Sequence, residues 1–167
     1  MKKLKIIKLC GEQIMNMNKR YRRIFKYILV IIWMIVIFKF SSDPGDISDG
    51  KSGVIIEVIN SLGIDMRSML GEVANFFIRK AAHMGEYCIL TLLLISALKE
   101  DFNLNKTYLL SSSITFLYAC SDEIHQTFVS GRCGKFSDVL IDLTGGIIAV
   151  LIVKVFIRLK SKNYNFK

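Results

Sequence analysis

Residues 79–98 read RKAAHMGEYCILTLLLISAL, and the fold turns on how this stretch is placed. Its uninterrupted apolar part, residues 87–98, covers only about 18 Å as a helix rising 1.5 Å per residue. Crossing roughly 30 Å of bilayer hydrocarbon takes about 17–25 helical residues. A spanning helix must therefore begin near Lys80 and carry His83 and Glu86 with it. A charged side chain at the centre of such a helix costs about 2.5–3.5 kcal/mol, and less near the interface. Residues held there need partners.

The same pattern recurs along the chain. Residues 108–120 are too short a run unless the helix continues through Asp122, Glu123 and Gln126, and residues 139–157 carry Asp142 near their start. Residues 27–40, YILVIIWMIVIFKF, extend back to about Ile24 and form the remaining block. A cleaved signal peptide is disfavoured there, because the basic leader is long and Phe40-Ser41-Ser42-Asp43 offers no A-x-A cleavage pattern. The expectation is an all-α integral membrane four-helix bundle, with spans at about 24–40, 80–98, 108–129 and 139–157.

Composition agrees. The 167 residues are 52% hydrophobic with a single proline, the mean hydropathy is +0.42, and no repeat or low-complexity linker divides the chain. One domain over residues 24–157 is expected, between a basic extension (1–23) and a basic tail (158–167). The net charge is +9. Its Lys and Arg gather beside apolar segments, as at Lys19, Arg20, Arg22, Arg23 and Lys26, and again at Lys154, Arg158, Lys160 and Lys162. No zinc-finger, RRM or KH pattern accompanies them, so the charge reads as a topology signal and not as a nucleic-acid surface.

That bias sets orientation. Both basic termini fall in the cytoplasm, together with the short 99–107 connection carrying Lys99 and Lys106. Residues 41–79 hold Asp43, Asp46, Asp49, Glu57, Asp65 and Glu72 and fall outside. Within them, Val54, Ile55, Val58, Ile59 and Leu62, then Met69, Leu70, Val73, Phe76 and Phe77, repeat at helical spacing. Two short amphipathic helices are expected, packed on the bundle or lying in the outer interface. Cys10, Cys88, Cys120 and Cys133 form no CxxC pair, and Cys10 and Cys133 fall on opposite sides of the membrane, so no disulfide framework is expected.

On this topology the polar residues of three spans meet at one membrane face. Lys80, His83, Glu86 and Tyr87 share a sector of about 120° on one helix. Tyr118, Asp122 and Gln126 form an i, i+4 stripe with Glu123 beside it, and Asp138 and Asp142 align with Gly145 and Ala149, whose small size lets helices approach. Mutual neutralisation of Lys80 and Arg132 against the carboxylates is the simplest role for this set. Carboxylates beside an imidazole and a phenol at a low-dielectric edge also suit chemistry.

Three chemistries fit. Glu86, Asp122 or Glu123 can serve as general base, with His83 as acid partner and Lys80 and Arg132 holding an anion such as a lipid phosphate. His83, Glu86, Asp122, Glu123 and His125 offer ligands for a divalent metal, although no HExxH or comparable signature is present and no residue is assigned as a metal ligand. The third is binding of a head group or peptide without chemistry. His125 stands about 60° off the Asp122–Gln126 stripe and reads as a bystander.

The motifs Phe40-Ser41-Ser42-Asp43-Pro44-Gly45, Arg79-Lys80-Ala81-Ala82-His83-Met84-Gly85-Glu86-Tyr87, Ser121-Asp122-Glu123-Ile124-His125-Gln126 through Gly131-Arg132, and Ser137-Asp138 through Asp142-Leu143-Thr144-Gly145-Gly146 resemble, in this order, the VanZ-like family. By that resemblance Lys80, His83, Glu86 and Tyr87 fall on the family's K-x-x-H-x-x-E-Y motif. Asp122, Glu123 and Gln126 fall on its D-E-x-x-Q, Arg132 on its P-G-R turn, and Asp138, Asp142 and Gly145 on its final-helix motif. Ser130 stands where the family usually has proline, which loosens the turn before Arg132.

The family's namesake is associated with low-level resistance to teicoplanin, a lipoglycopeptide acting on cell-wall precursors at the outer membrane face. The resemblance thus implies a bacterial cell-membrane setting and no particular reaction. The expected function is an outward polar cleft that binds or modifies an anionic lipid or lipid-linked envelope precursor. His83, Glu86, Asp122 and Glu123 are its candidate catalytic groups, and Lys80, Tyr87, Gln126, Arg132, Asp138 and Asp142 its ligand contacts. A non-catalytic envelope-binding protein that limits antibiotic access, and a small transporter, are the alternatives.

Overall fold

The computed structural model describes the backbone from Lys2 to Tyr164 and the side chains of residues 17–162 apart from Arg67, Met69 and Glu72. The readings of Lys2, Lys3, Lys5, Lys8, Cys10, Met69 and Glu72 lie outside the described side chains. All described regular structure is helical: α1 (Lys2–Ser41), α2 (Gly45–Ser61), α3 (Met66–Leu70), a 3-10 turn (Gly71–Val73), α4 (Ala74–Leu98), α5 (Leu104–Gln126) and α6 (Phe136–Tyr164). Among the described residues, Met17–Ser41, Ala74–Leu98 and Phe136–Lys162 are long and apolar enough to cross a membrane.

Two boundaries differ from expectation, for physical reasons. The first span continues the basic extension without a break, because nothing in residues 2–26 interrupts helix formation. The second begins at Ala74, not near Lys80. Phe76 and Phe77, expected on a separate amphipathic helix, instead form the first turn of α4 and stack edge to face with ring centroids 5.8 Å apart. α2 is a helix of 17 residues and turns its small polar side to the protein. Gly45, Ser48, Ser52 and Ile56 are buried, while Val54, Ile55, Val58 and Leu62 point away. The small polar side seats against α4, which leaves the apolar side free for the interface.

α4 is the central element, packed on α1, α5 and α6. Lys80 meets Asp138 and His83 faces Asp142, while Gly145 abuts Met84 and Gly146 reaches Thr91, so α4 and α6 run parallel. α1 and α5 run the other way: Trp33 donates to the Glu86 carbonyl at 2.9 Å and Tyr27 to Asp101 at 2.8 Å, and Thr91 and Thr115 share a 2.8 Å hydrogen bond. The long helices therefore alternate in direction. At the end holding the start of α1, Arg22 and Lys26 pair with Glu100 and Arg23 pairs with Asp101. Asn103 caps α5 there by accepting from the Lys106 amide at 3.0 Å.

The closest approach is at Gly145, where an added Cβ would sit 2.1 Å from the Met84 carbonyl oxygen and 3.1 Å from the Cys88 nitrogen. Gly145→Ala gains about 1 kcal/mol of helix propensity but drives two backbones apart, for a net loss of about 1–3 kcal/mol. Gly85→Ala, with nothing within 4 Å of its Cβ, is expected to be neutral or stabilising. Thermal unfolding in detergent, followed through the single tryptophan, compares the two.

Hydrogen bonding from Lys26, aided by Arg22, holds the Glu100 carboxyl below the ordinary glutamate value, against a smaller opposing effect of burial. Its contribution to stability is thus complete above about pH 4.5 and disappears as the pH falls through the lowered folded-state value. Because the pair is partly exposed, the effect should be modest and shrink with salt. Acid titration of unfolding temperature should show this loss in the native protein and a flatter profile in Glu100→Gln.

Candidate functional site

At the opposite end the polar residues of α4, α5 and α6 converge. The α4–α6 register sets Lys80 Nζ 2.5 Å from Asp138 Oδ2, with Phe76 beneath the ammonium. One turn deeper, His83 Nδ1 lies 3.9 Å from Glu86 Oε2 and 4.0 Å from Asp142 Oδ1. Both distances exceed a hydrogen bond. The nitrogen, Glu86 Oε2 and Asp142 Oδ2 are buried without a hydrogen-bonding partner, and Asp142 is 1% exposed.

α5 contributes a stripe. Asp122, Glu123 and Gln126 are buried. Gln126 donates to Asp122 Oδ2 at 3.3 Å. The Ser41 and Tyr87 hydroxyls lie close to the same carboxylate, yet neither closes a hydrogen bond of good geometry, and Asp122 Oδ1 is left without a partner. Glu123 is engaged differently, accepting the Lys135 backbone N–H at 2.9 Å and so tying α5 to the approach to α6.

Arg132 serves mainly as a tie. Its Nε donates to the Asp43 carbonyl at 2.7 Å, one Nη to the Phe40 carbonyl at 3.2 Å and the other to Gln126 Oε1 at 3.5 Å. Burial and nearby Arg79 pull its pKa down while Asp43 opposes them, and a guanidinium stays charged through such shifts. Neutral carbonyls leave that charge uncancelled. The turn before it is firm despite Ser130. The Ser130 carbonyl accepts the Gly45 N–H at 3.1 Å, Gly131 takes φ +72°, and a Cβ on Gly45 would come within 2.5 Å of the Gly131 oxygen. His125 packs its ring on Phe38, 4.4 Å between centroids, and lies 3.0 Å from the Ser42 hydroxyl.

These residues border a cleft of about 300 Å³ lined by Arg79, Lys80, Arg132 and Lys135, with His83, Gln126 and Asp138 among its other walls. Four cations face a single carboxylate. Arg79 pairs with Asp49 of α2 at 2.7 Å, so this helix joins the rim. Among the described residues no set of three His, Cys, Asp or Glu side chains stands close enough to hold a metal ion.

The family model described as VanZ/LLP1 matches residues 25–157. The chain belongs to the VanZ-like family. Its apolar helices and this membership make it a multi-pass membrane protein. No curated protein and no solved structure matches it. All ten candidate site residues stand at this end: Lys80, His83, Gln126, Arg132 and Asp138 line the cleft, whereas Glu86, Tyr87, Asp122, Glu123 and Asp142 are not part of its lining. Sequence reasoning missed Ser41, Trp33, Arg79 and Lys135. Ser41 and Arg79 sit inside the quoted motifs, whereas the contributions of Trp33 and Lys135 depend on contacts between helices.

Glu123→Ala strands the Lys135 N–H and should cost about 1–3 kcal/mol, while Glu123→Gln keeps an acceptor and should cost under about 1 kcal/mol. Unfolding in detergent measures both. It also establishes that a functional loss in Glu123→Gln is chemical and not structural.

Proposed function

We propose that this VanZ-like protein is a four-span bundle with both termini cytoplasmic, whose cleft opens outward and binds a phosphate-bearing lipid or lipid-linked envelope precursor. The fourth crossing is α5. Thr107, Ser111, Thr115, Asp122, Glu123 and Gln126 lower its overall apolarity but are buried, while Leu109, Leu117 and Ile124 face outward, as a lipid-exposed side requires. Cytoplasmic termini follow from the basic start of α1 and the basic end of α6.

The observation that carries the ligand reading is the excess of cationic side chains around the cleft. Asp138 and Asp49 offset Lys80 and Arg79 in part, the rim stays net positive, and cations at a membrane interface attract phosphate. The cleft's position beside α2, whose apolar side is free, gives a lipid-borne ligand a lateral approach. A catalytic version has its own support in His83, set between Glu86 and Asp142 where an imidazole can exchange a proton with a bound group. Under either version, altered access of a glycopeptide such as teicoplanin to its precursor would follow from occupancy or modification of that lipid.

Two measurements test this. Cysteine substituted at Ser137 should label from outside and at Lys99 from inside; accessibility from the same side would discard the topology. Arg79→Gln with Lys135→Gln should weaken phosphatidylglycerol binding about tenfold or more and flatten its salt dependence. Unchanged binding would remove the cleft from consideration. Lipid and precursor profiling by mass spectrometry, with and without His83→Ala and Glu123→Gln, then separates catalysis from binding: a product absent in both variants marks an enzyme.

A further inference from the structure

The cleft and the layer of side chains behind its wall are chemically opposite. The cleft's rim is cationic, as described. Its inner wall is His83, and immediately behind the imidazole lie Glu86 and Asp142, one at 3.9 Å and the other at 4.0 Å. Asp142 Oδ2, Glu86 Oε2 and His83 Nδ1 have no hydrogen-bonding partner, and no Lys or Arg side chain reaches either of these carboxylates among the described residues. Lys80, the nearest cation by position on α4, sits at the rim against Asp138 and does not meet these carboxylates. Asp122 Oδ1, on the α5 side, has the Ser41 and Tyr87 hydroxyls beside it. The acceptors left without a donor or a cation are therefore those of Glu86 and Asp142.

A simple phosphate satisfies the rim and worsens the floor, since it adds acceptors where acceptors are already in excess. What fits both layers is a ligand carrying a phosphate and, one short spacer away, a group that donates hydrogen bonds and carries positive charge. We infer that the site recognises a phosphate-plus-primary-amine head group, of the phosphoethanolamine kind, with the phosphate at Arg79, Lys80 and Lys135 and the ammonium directed past His83 to Glu86 and Asp142. This rests on the cleft being the phosphate site proposed above. A primary ammonium has three donors, enough to serve both carboxylates and still reach the imidazole. A trimethylated amine keeps the charge but has none, and a glycerol head group has donors without charge.

That contrast makes the test. Native mass spectrometry of the full chain in detergent is titrated with dioleoyl phosphatidylethanolamine, phosphatidylcholine and phosphatidylglycerol. The ethanolamine lipid should bind about tenfold or more tighter than either of the others, as expected when charge-assisted hydrogen bonds distinguish them. Asp142→Asn and Glu86→Gln should abolish the preference while phosphatidylglycerol binding persists, which also shows that the variants are folded. Soluble phosphoethanolamine should compete better than phosphocholine if the head group alone is read. A preference for phosphatidylethanolamine without such competition assigns the source to the lipid, and the inference stands.

Equal binding of the ethanolamine and choline lipids, or tighter phosphatidylglycerol, overturns the amine assignment and leaves the phosphate cleft intact. A preference that survives both substitutions overturns it as well. If no phospholipid binds in a manner sensitive to Arg79→Gln and Lys135→Gln, the cleft reading itself fails and the inference falls with it.

Discussion

The contact of Gly145 with the Met84 carbonyl fixes everything else at the site. With no side chain at 145, α4 and α6 approach until backbone meets backbone, and in a parallel pair that single contact sets the register of both helices. One turn towards the site Asp142 then faces His83, and the next turn brings Asp138 to Lys80. Sliding one helix by a turn would break the Lys80–Asp138 ion pair and force Gly145 off the Met84 carbonyl. The register is therefore held by close backbone packing together with that ion pair.

The polar core is arranged so that the membrane never meets it. On α5 the buried residues repeat every four positions, at Thr107, Ser111, Thr115, Ala119 and Glu123, with Asp122 and Gln126 alongside, and all but Ala119 are polar. The Thr91–Thr115 hydrogen bond and the fit of Gly146 against both threonines let a helix of low overall apolarity sit between two apolar ones. The aliphatic excess appears instead on the outer sides of α1 and α6, at Ile31, Ile32, Ile35, Leu151, Val155 and Phe156. Polarity inside and aliphatic surface outside is the inverse of a soluble helical protein, and it is what lipid as solvent requires.

Helical period made much of this visible in the sequence. The sector of Lys80, His83, Glu86 and Tyr87 and the stripe of Asp138, Asp142, Gly145 and Ala149 depend only on 100° per residue, and both describe real faces. Other features were hidden because they depend on partners. Apolar spacing in α2 identified an amphipathic helix but not which side would dock, since Ser48 and Ser52 become the buried side only by fitting α4. The ion pairs of Glu100 and Asp101 with α1 could not be read from loop charge, which showed Lys99 and Lys106 equally well. Arg132 has the composition of an anion contact, yet two of its donors are held by the Phe40 and Asp43 carbonyls at the end of α1.

That use of Arg132 bears on how the cleft keeps its charge. A guanidinium paired with a carboxylate, as Arg79 is with Asp49, brings a compensating negative charge to the rim. Held by carbonyls, Arg132 is fixed in place with its charge intact, and the Gly45–Gly131 contact keeps the turn from relaxing away. The Gly45 amide bonds the backbone carbonyl of Ser130, a contact that does not depend on the side chain there and that holds the turn without proline. The rim and the floor also stay chemically distinct for a geometric reason. Asp138 stands between Lys80 and the deeper carboxylates, so the lysine is satisfied before it can reach Asp142. A site in which every acid met its base would be stable and inert. Here the outermost pair closes, and the deeper acceptors are left without partners.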